Sequence, residues 1–213
     1  MAGILLLADA VCTLVWQEPI SALYSRVQQG RLDDRLAELE RTATSPDDRR
    51  LLARMRGVDQ RLAFSARALD RRAEKGEPVG RIRVASAGIS TVVVAGTDGD
   101  SLRRGPGHYP GTPLPGAGGT VGIAGHRTTY GAPFRRLDRI DPGDRIEVRM
   151  PYGRFVYRVE RTRIVPPTAT WVTRRVGYDR LVLSACHPLY SAEKRIVVFA
   201  RLIEGVPRRD PLA

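Results

Sequence analysis

Cysteine, histidine and lysine are all scarce in this 213-residue chain, which has two, three and two of them. Two cysteines cannot build a disulfide framework. Cys12 sits in an apolar N-terminal stretch and Cys186 far off near the C-terminus, so a bridge between them is not expected and Cys186 is read as a free thiol. Three scattered histidines make no ligand set of the usual spacing, so no metal and no cofactor is expected. Long hydrophobic runs are missing too. The most apolar stretch, Gly3 to Trp16, is broken by Asp9 and Thr13 and falls short of the about 20 residues of a full span. It lacks the basic start and cleavage site of a signal peptide. Acidic residues are outnumbered 23 to 35, leaving a formal charge of +12. Almost all of that excess is arginine, because Lys75 and Lys194 are the only lysines. Such a surface suits anionic surroundings, whether nucleic acid, a lipid leaflet or a wall polymer; a GC-rich genome would give the same usage. With 42% hydrophobic residues the chain can bury a core, so wholesale disorder is not expected.

The chain divides into four parts. Residues 1–23 read as a membrane-anchor segment, with Trp16 before Gln17, Glu18 and Pro19 as an interfacial residue where the chain leaves the bilayer. This is a short or tilted span, or the end of one that begins further upstream; a buried core helix is the other reading. Residues 24–78 are charge-rich and helical. Leu32, Leu36 and Leu39 fall on one face, and Leu51, Met55, Val58, Leu62 and Leu69 continue a near-heptad stripe. Ser45 before Pro46 is an expected N-cap with proline at the first helical position. This region is a stalk of two helices, either paired as a coiled coil or packed on its own chain. Residues 79–205 change character. Short β-branched runs recur between turns: 81–84, 91–95, 120–124, 145–150, 154–165, 181–185 and 195–203. Seven to eight short strands indicate an all-β barrel or sandwich. The interval Asp98–Gly119, rich in Gly and Pro, is expected to be an ordered loop over the barrel mouth. Residues 206–213 form a tail.

Two of the scarce residues stand in matching places. His126 and Cys186 each end an apolar strand and open a loop, so both can face one barrel mouth. Alone, each has a plain structural explanation; a lone cysteine is usually a small buried hydrophobe. Together they answer a chemical need. A thiol is mostly protonated at pH 7, and a nearby cation enlarges its thiolate fraction. A histidine can then protonate a departing amine. Arg195 opens the next strand, where a hairpin returns it toward Cys186 to hold a developing oxyanion.

With His126, Cys186 and Arg195 in that order on an all-β domain, the chain resembles the sortase family over Val79–Glu204. The segments Gly125–Phe134, Gly105–Thr112 and Cys186-His187-Pro188 most resemble class E sortases of high-GC Gram-positive bacteria. One departure stands out: where sortases carry Thr-Leu-x-Thr-Cys, this chain reads Val182-Leu183-Ser184-Ala185-Cys186, without the hydroxyl beside the nucleophile. The resemblance implies an all-β, sortase-like closed β-barrel of seven to eight strands and a membrane-tethered, extracellular cysteine transpeptidase. It would cleave an LAxTG or LPxTG sorting signal between Thr and Gly through a Cys186 thioester. It would then join the surface protein to an amine of a peptidoglycan precursor. Tyr109, Tyr130, Ala185 and His187 are candidate substrate-binding residues by their nearness to the site, and His108 belongs to the mouth loop. No compact acidic loop suggests calcium.

Three rivals have distinct signatures. An L,D-transpeptidase shows a Ser-His-Gly-Cys-type motif, absent here, and a papain-like protease places its cysteine before its histidine. A non-catalytic basic module for wall polymer or nucleic acid would leave Cys186 incidental. For single-stranded nucleic acid the barrel lacks aromatic stacking strands, so nucleic acid is not an expected partner.

Overall fold

A computed structural model of the chain describes residues 19–42 and 44–208. Cys12 and most of the expected anchor segment lie outside the described residues. Among the described residues no helix is long and apolar enough to cross a membrane.

Three helices come first: α1 (Pro19–Thr42), α2 (Pro46–Arg54) and α3 (Val58–Arg72). Ser45 caps α2 as expected, its hydroxyl accepting from Asp48 N–H at 3.0 Å, with Pro46 following. The apolar stripe is not one seam. Helix geometry breaks between Arg54 and Val58, and Leu51 and Val58 are exposed. The buried leucines pack on the chain's own β-domain. Leu32 and Leu36 of α1 close over Val92 and Val94, while Leu62, Ala66 and Leu69 of α3 join the main core. A heptad-like spacing shows that a helix has an apolar face but not what covers it. Leu62 is 4% exposed, so Leu62→Ala is expected to cost about 2–4 kcal/mol through lost burial and a residual cavity. Chemical denaturation measures this, with little change expected in active-site chemistry because α3 packs at the far end.

The β-domain has eight strands: β1 (Pro78–Val84), β2 (Ile89–Ala95), β3 (Gly107–His108), β4 (Thr120–Ala124), β5 (Arg145–Met150), β6 (Gly153–Val165), β7 (Arg180–His187) and β8 (Lys194–Pro207). They close in the order β1-β2-β3-β4-β7-β8-β6-β5. All pairs are antiparallel except β2–β3 and β4–β7. The expected mouth loop is more structured than its composition suggests. It holds the six-residue helix α4 (Gly99–Arg104), capped by Asp98, as well as β3. Both are too short to leave a periodic signal.

Side-chain alternation sorts the strands that matter for function. Val121 and Ile123 of β4, Leu181, Leu183 and Ala185 of β7, and Ile196, Val198 and Ala200 of β8 fill the barrel. Their neighbours in sequence point outward. Val182 of β7 and Val197 and Phe199 of β8 form a second cluster with Val165, Ala169 and Val172 on the outer face. On β6, Gly153 lies at the end covered by Leu62, while Val165 at the other end pairs with Arg195. The helical plug and Arg195 are therefore at opposite ends of the barrel.

Candidate active site

The β7–β8 ladder places Cys186 directly opposite Arg195. By alternation both point to the outer face, as do Val197 two residues and Val182 four residues further in. On the other flank of β7, the parallel β4–β7 ladder runs from Thr120↔Arg180 to Ala124↔Ser184. It ends with Gly125 N–H donating to Ser184 O at 3.0 Å. His126 follows one residue after that bond, past the end of β4. Cys186 and Arg195 thus face each other on adjacent strands, and His126 lies in the segment that leaves β4 on the other flank of β7. Ladder register pairs Cys186 with Arg195, while His126 lies beyond the last β4–β7 pair.

The loop after β4 shapes the histidine's surroundings. A side chain at Gly125 would bring its Cβ to 2.6 Å from Phe134, and Phe134 is fully buried. Phe134 N–H donates to His126 O at 3.0 Å, closing the loop on itself. Tyr130, Gly131 and Ala132 all have positive φ, of 50°, 73° and 43°, a conformation uncommon for residues with a side chain. This tight turn returns the Tyr130 ring to His126, with centroids 5.2 Å apart. Arg103 of α4 lies over the other partner of that stack, 5.9 Å from the Tyr130 ring centre. His126 is half-buried, and burial holds its imidazole below the usual range; the Arg103 cation pushes the same way.

Tyr109 lies along the outer face of β4. A Cβ at Gly122 would stand 2.7 Å from its ring, so glycine there is what lets the ring lie flat on the strand. Its hydroxyl shares a 2.8 Å hydrogen bond with Ser184 Oγ, two residues before Cys186 on the same face. Thr112 fixes the same segment, donating to Tyr109 O at 2.8 Å and accepting from Gly122 N–H at 3.2 Å. His108 plays a packing part. It is 5% exposed, with Nε2 near Pro113 O at 3.2 Å and Thr112 Oγ1 at 3.1 Å, and burial lowers its pKa.

The other two candidate substrate residues face elsewhere. Ala185 is 4% exposed and its methyl belongs to the barrel core. Only its backbone is available to a ligand on the outer face. His187 has the same parity, and its Nδ1 lies 3.3 Å from Arg127 Nη1. Arg195 donates from Nη1 to Ala192 O at 2.8 Å and Lys194 O at 2.9 Å. Its other guanidinium donors have no protein partner among the described residues. Residue-type reasoning overlooked Ser184, Arg103 and Arg127, the last only 2% exposed at its side chain. Among the described residues, no three His, Cys, Asp or Glu side chains group as a metal ion would need.

Residues 82–203 match the family model described as Sortase domain. Over 134 residues the chain is 30% identical to Sortase D of Bacillus subtilis, covering 61% of this chain and 66% of that protein. Over 118 residues it is 32% identical to Sortase SrtE1 of Streptomyces coelicolor, covering 48% of this chain and 33% of that protein. The matched part therefore spans just under two thirds of one curated relative and a third of the other. Among solved structures, a Clostridium perfringens Sortase D5 transpeptidase superposes with a TM-score of 0.65 at 21% identity, covering 84% of this chain and 99% of that one. This last is a likeness of fold.

Proposed function

The chain belongs to the sortase family, and from that premise we propose that it is a cysteine transpeptidase acting on C-terminal sorting peptides. The observation that supports this most is Cys186 with its ladder partner Arg195, on the strand flanked by the β4 end that leads into His126. In the proposed reaction, Cys186 Sγ adds to the Thr carbonyl carbon of an LAxTG or LPxTG peptide. The oxyanion that forms is held by the Arg195 fork. The C–N bond to Gly then breaks as the His126 imidazolium gives its proton to the departing amine. An amine of a peptidoglycan precursor attacks the thioester, His126 takes the proton, and the C–S bond breaks to release the thiolate. Tyr109 and Tyr130, one beside Ser184 and one against His126, border the place where the peptide would lie. The class E reading rests on the loop motifs, since class D and class E proteins are both among the relatives. With residues 1–23 as a single-pass anchor, the catalytic domain would work outside the cell membrane.

The direct test incubates the chain with LAxTG and LPxTG peptides and an amine acceptor, following acyl-enzyme and product by intact-mass spectrometry. An acyl adduct on Cys186 and a ligated product are expected. An enzyme that forms neither with any such peptide does not have this function. Arg195 gives a finer check: Arg195→Ala is expected to lower kcat by about 10²–10³-fold, the usual cost of an oxyanion donor. Arg195→Lys should recover only part of this, because an ammonium lacks the planar fork.

A further inference from the structure

The β4–β7 ladder stops one residue short of the pair it has to position. Its last rung is Gly125 N–H to Ser184 O. The carbonyl of His126, two residues past the end of β4, turns away to accept from Phe134 N–H. Beyond that point, among the described residues, no backbone bond ties the His126 segment to the Cys186 segment, and a side chain spans the gap instead. Arg127 Nη1 donates to Cys186 O at 3.5 Å and lies 3.3 Å from His187 Nδ1. Its Nε and Nη2 donate to Arg135 O at 3.4 and 3.3 Å. Nη2 also meets Asp138 Oδ2 at 3.0 Å, next to Leu137 in the 3₁₀ turn Leu137–Arg139. One guanidinium thus joins the residue after His126, the carbonyl of the nucleophile, and the turn that closes the histidine's loop.

A buried cation is costly unless its donors are met. Here they are met by acceptors on two separate chain segments, in the fixed planar geometry only arginine provides. Simple loop packing does not call for a charge at this place. We infer that Arg127 is a positioning residue: held by Asp138, its guanidinium sets the separation of His126 and Cys186 where the ladder has ended. This rests on the Cys–His reading of the site. The charged and titratable neighbours of the pair are Arg103 of α4, Tyr130 of the loop, His187 of β7, and Lys194 and Arg195 of β8.

The test reads the pair without needing the natural peptide. The alkylation rate of Cys186 by iodoacetamide is measured from pH 5 to 9 in the full chain, with His126→Ala identifying the inflection that belongs to the histidine. Arg127→Gln is expected to lose that inflection. With peptide, it should lower kcat by about 10²-fold, the scale of an ångström-sized misplacement, and leave KM within about threefold of the parent. A purely structural role would lower the melting temperature while leaving the inflection and the kcat per titrated thiol unchanged. A folded Arg127→Gln protein that behaves so overturns the inference. Should this variant not fold, Arg127→Lys and Asp138→Asn replace it: a reduced inflection in both supports the inference, and a parental profile in either overturns it. A parent with the His126 inflection but no peptide turnover sinks the transpeptidase reading alone. A parent without that inflection leaves Arg127 no coupled pair to position and overturns the inference itself.

Discussion

Cys186→Ala is expected to abolish both the acyl-enzyme and the ligated product, a loss of about 10⁴-fold or more, on the scale seen when an enzyme's nucleophile is removed. Among the described residues no neighbouring group is placed to take over. Ser184, the nearest hydroxyl on the same face of β7, is engaged with the Tyr109 hydroxyl and lies two residues from the rung that contains Arg195. The fold should be little changed, since Cys186 is only partly buried at the strand end, unlike Leu181 and Leu183, which fill the barrel. Peptide binding should survive, because the outer-face residues stay in place. Intact-mass analysis, with fluorescence anisotropy of a labelled peptide, separates the two effects. Full turnover in the alanine variant would leave Cys186 without a catalytic role. Retained affinity for an anionic polymer with no turnover in either protein would point to a binding module.

The strands that build the site were legible because their apolar, β-branched runs are bounded by Pro, Gly and Asp. Thr120–Ala124 and Arg145–Met150 were placed to the residue. Ladder register was legible only across the short β7–β8 hairpin, whose length returns Arg195 toward Cys186. Nothing local in the sequence says that Ala124 pairs with Ser184, because that pairing is fixed by packing across the barrel. Arg127 was hidden for a related reason. In a chain so rich in arginine, a buried one looks like any other until its long-range acceptors are known. Leu32 and Leu36 showed that helix α1 had an apolar face, and only the structure showed β2 beneath it.

Alternation along β7 was legible, and it bears on the chain's departure from the family pattern. If Cys186 faces outward, Ala185 and His187 must face the other way. Ala185 is buried among core residues, where a threonine hydroxyl would need a partner inside the barrel. The alanine therefore suits the core it occupies. The hydroxyl on the outer face comes from Ser184, which holds Tyr109 against β4.

His126→Ala is the second large loss: kcat is expected to fall by about 10³-fold, within the ~10²–10⁴ range of general acid–base catalysis. Its pH behaviour makes the assignment specific. Burial, and after it the Arg103 cation, disfavour the imidazolium and hold the His126 pKa below its ordinary value. The acid limb of kcat/KM should therefore lie below the usual imidazole range. Arg103→Gln removes the cation while burial remains, so the limb should move upward without reaching the ordinary value. Tyr130→Phe keeps the ring against His126 and should shift the limb less than Arg103→Gln does. The limb should vanish in His126→Ala, whose residual rate carries no histidine. If Arg103→Gln leaves the limb in place while His126→Ala removes it, then burial alone sets the pKa, and the α4 arginine has no electrostatic part in the acid's strength.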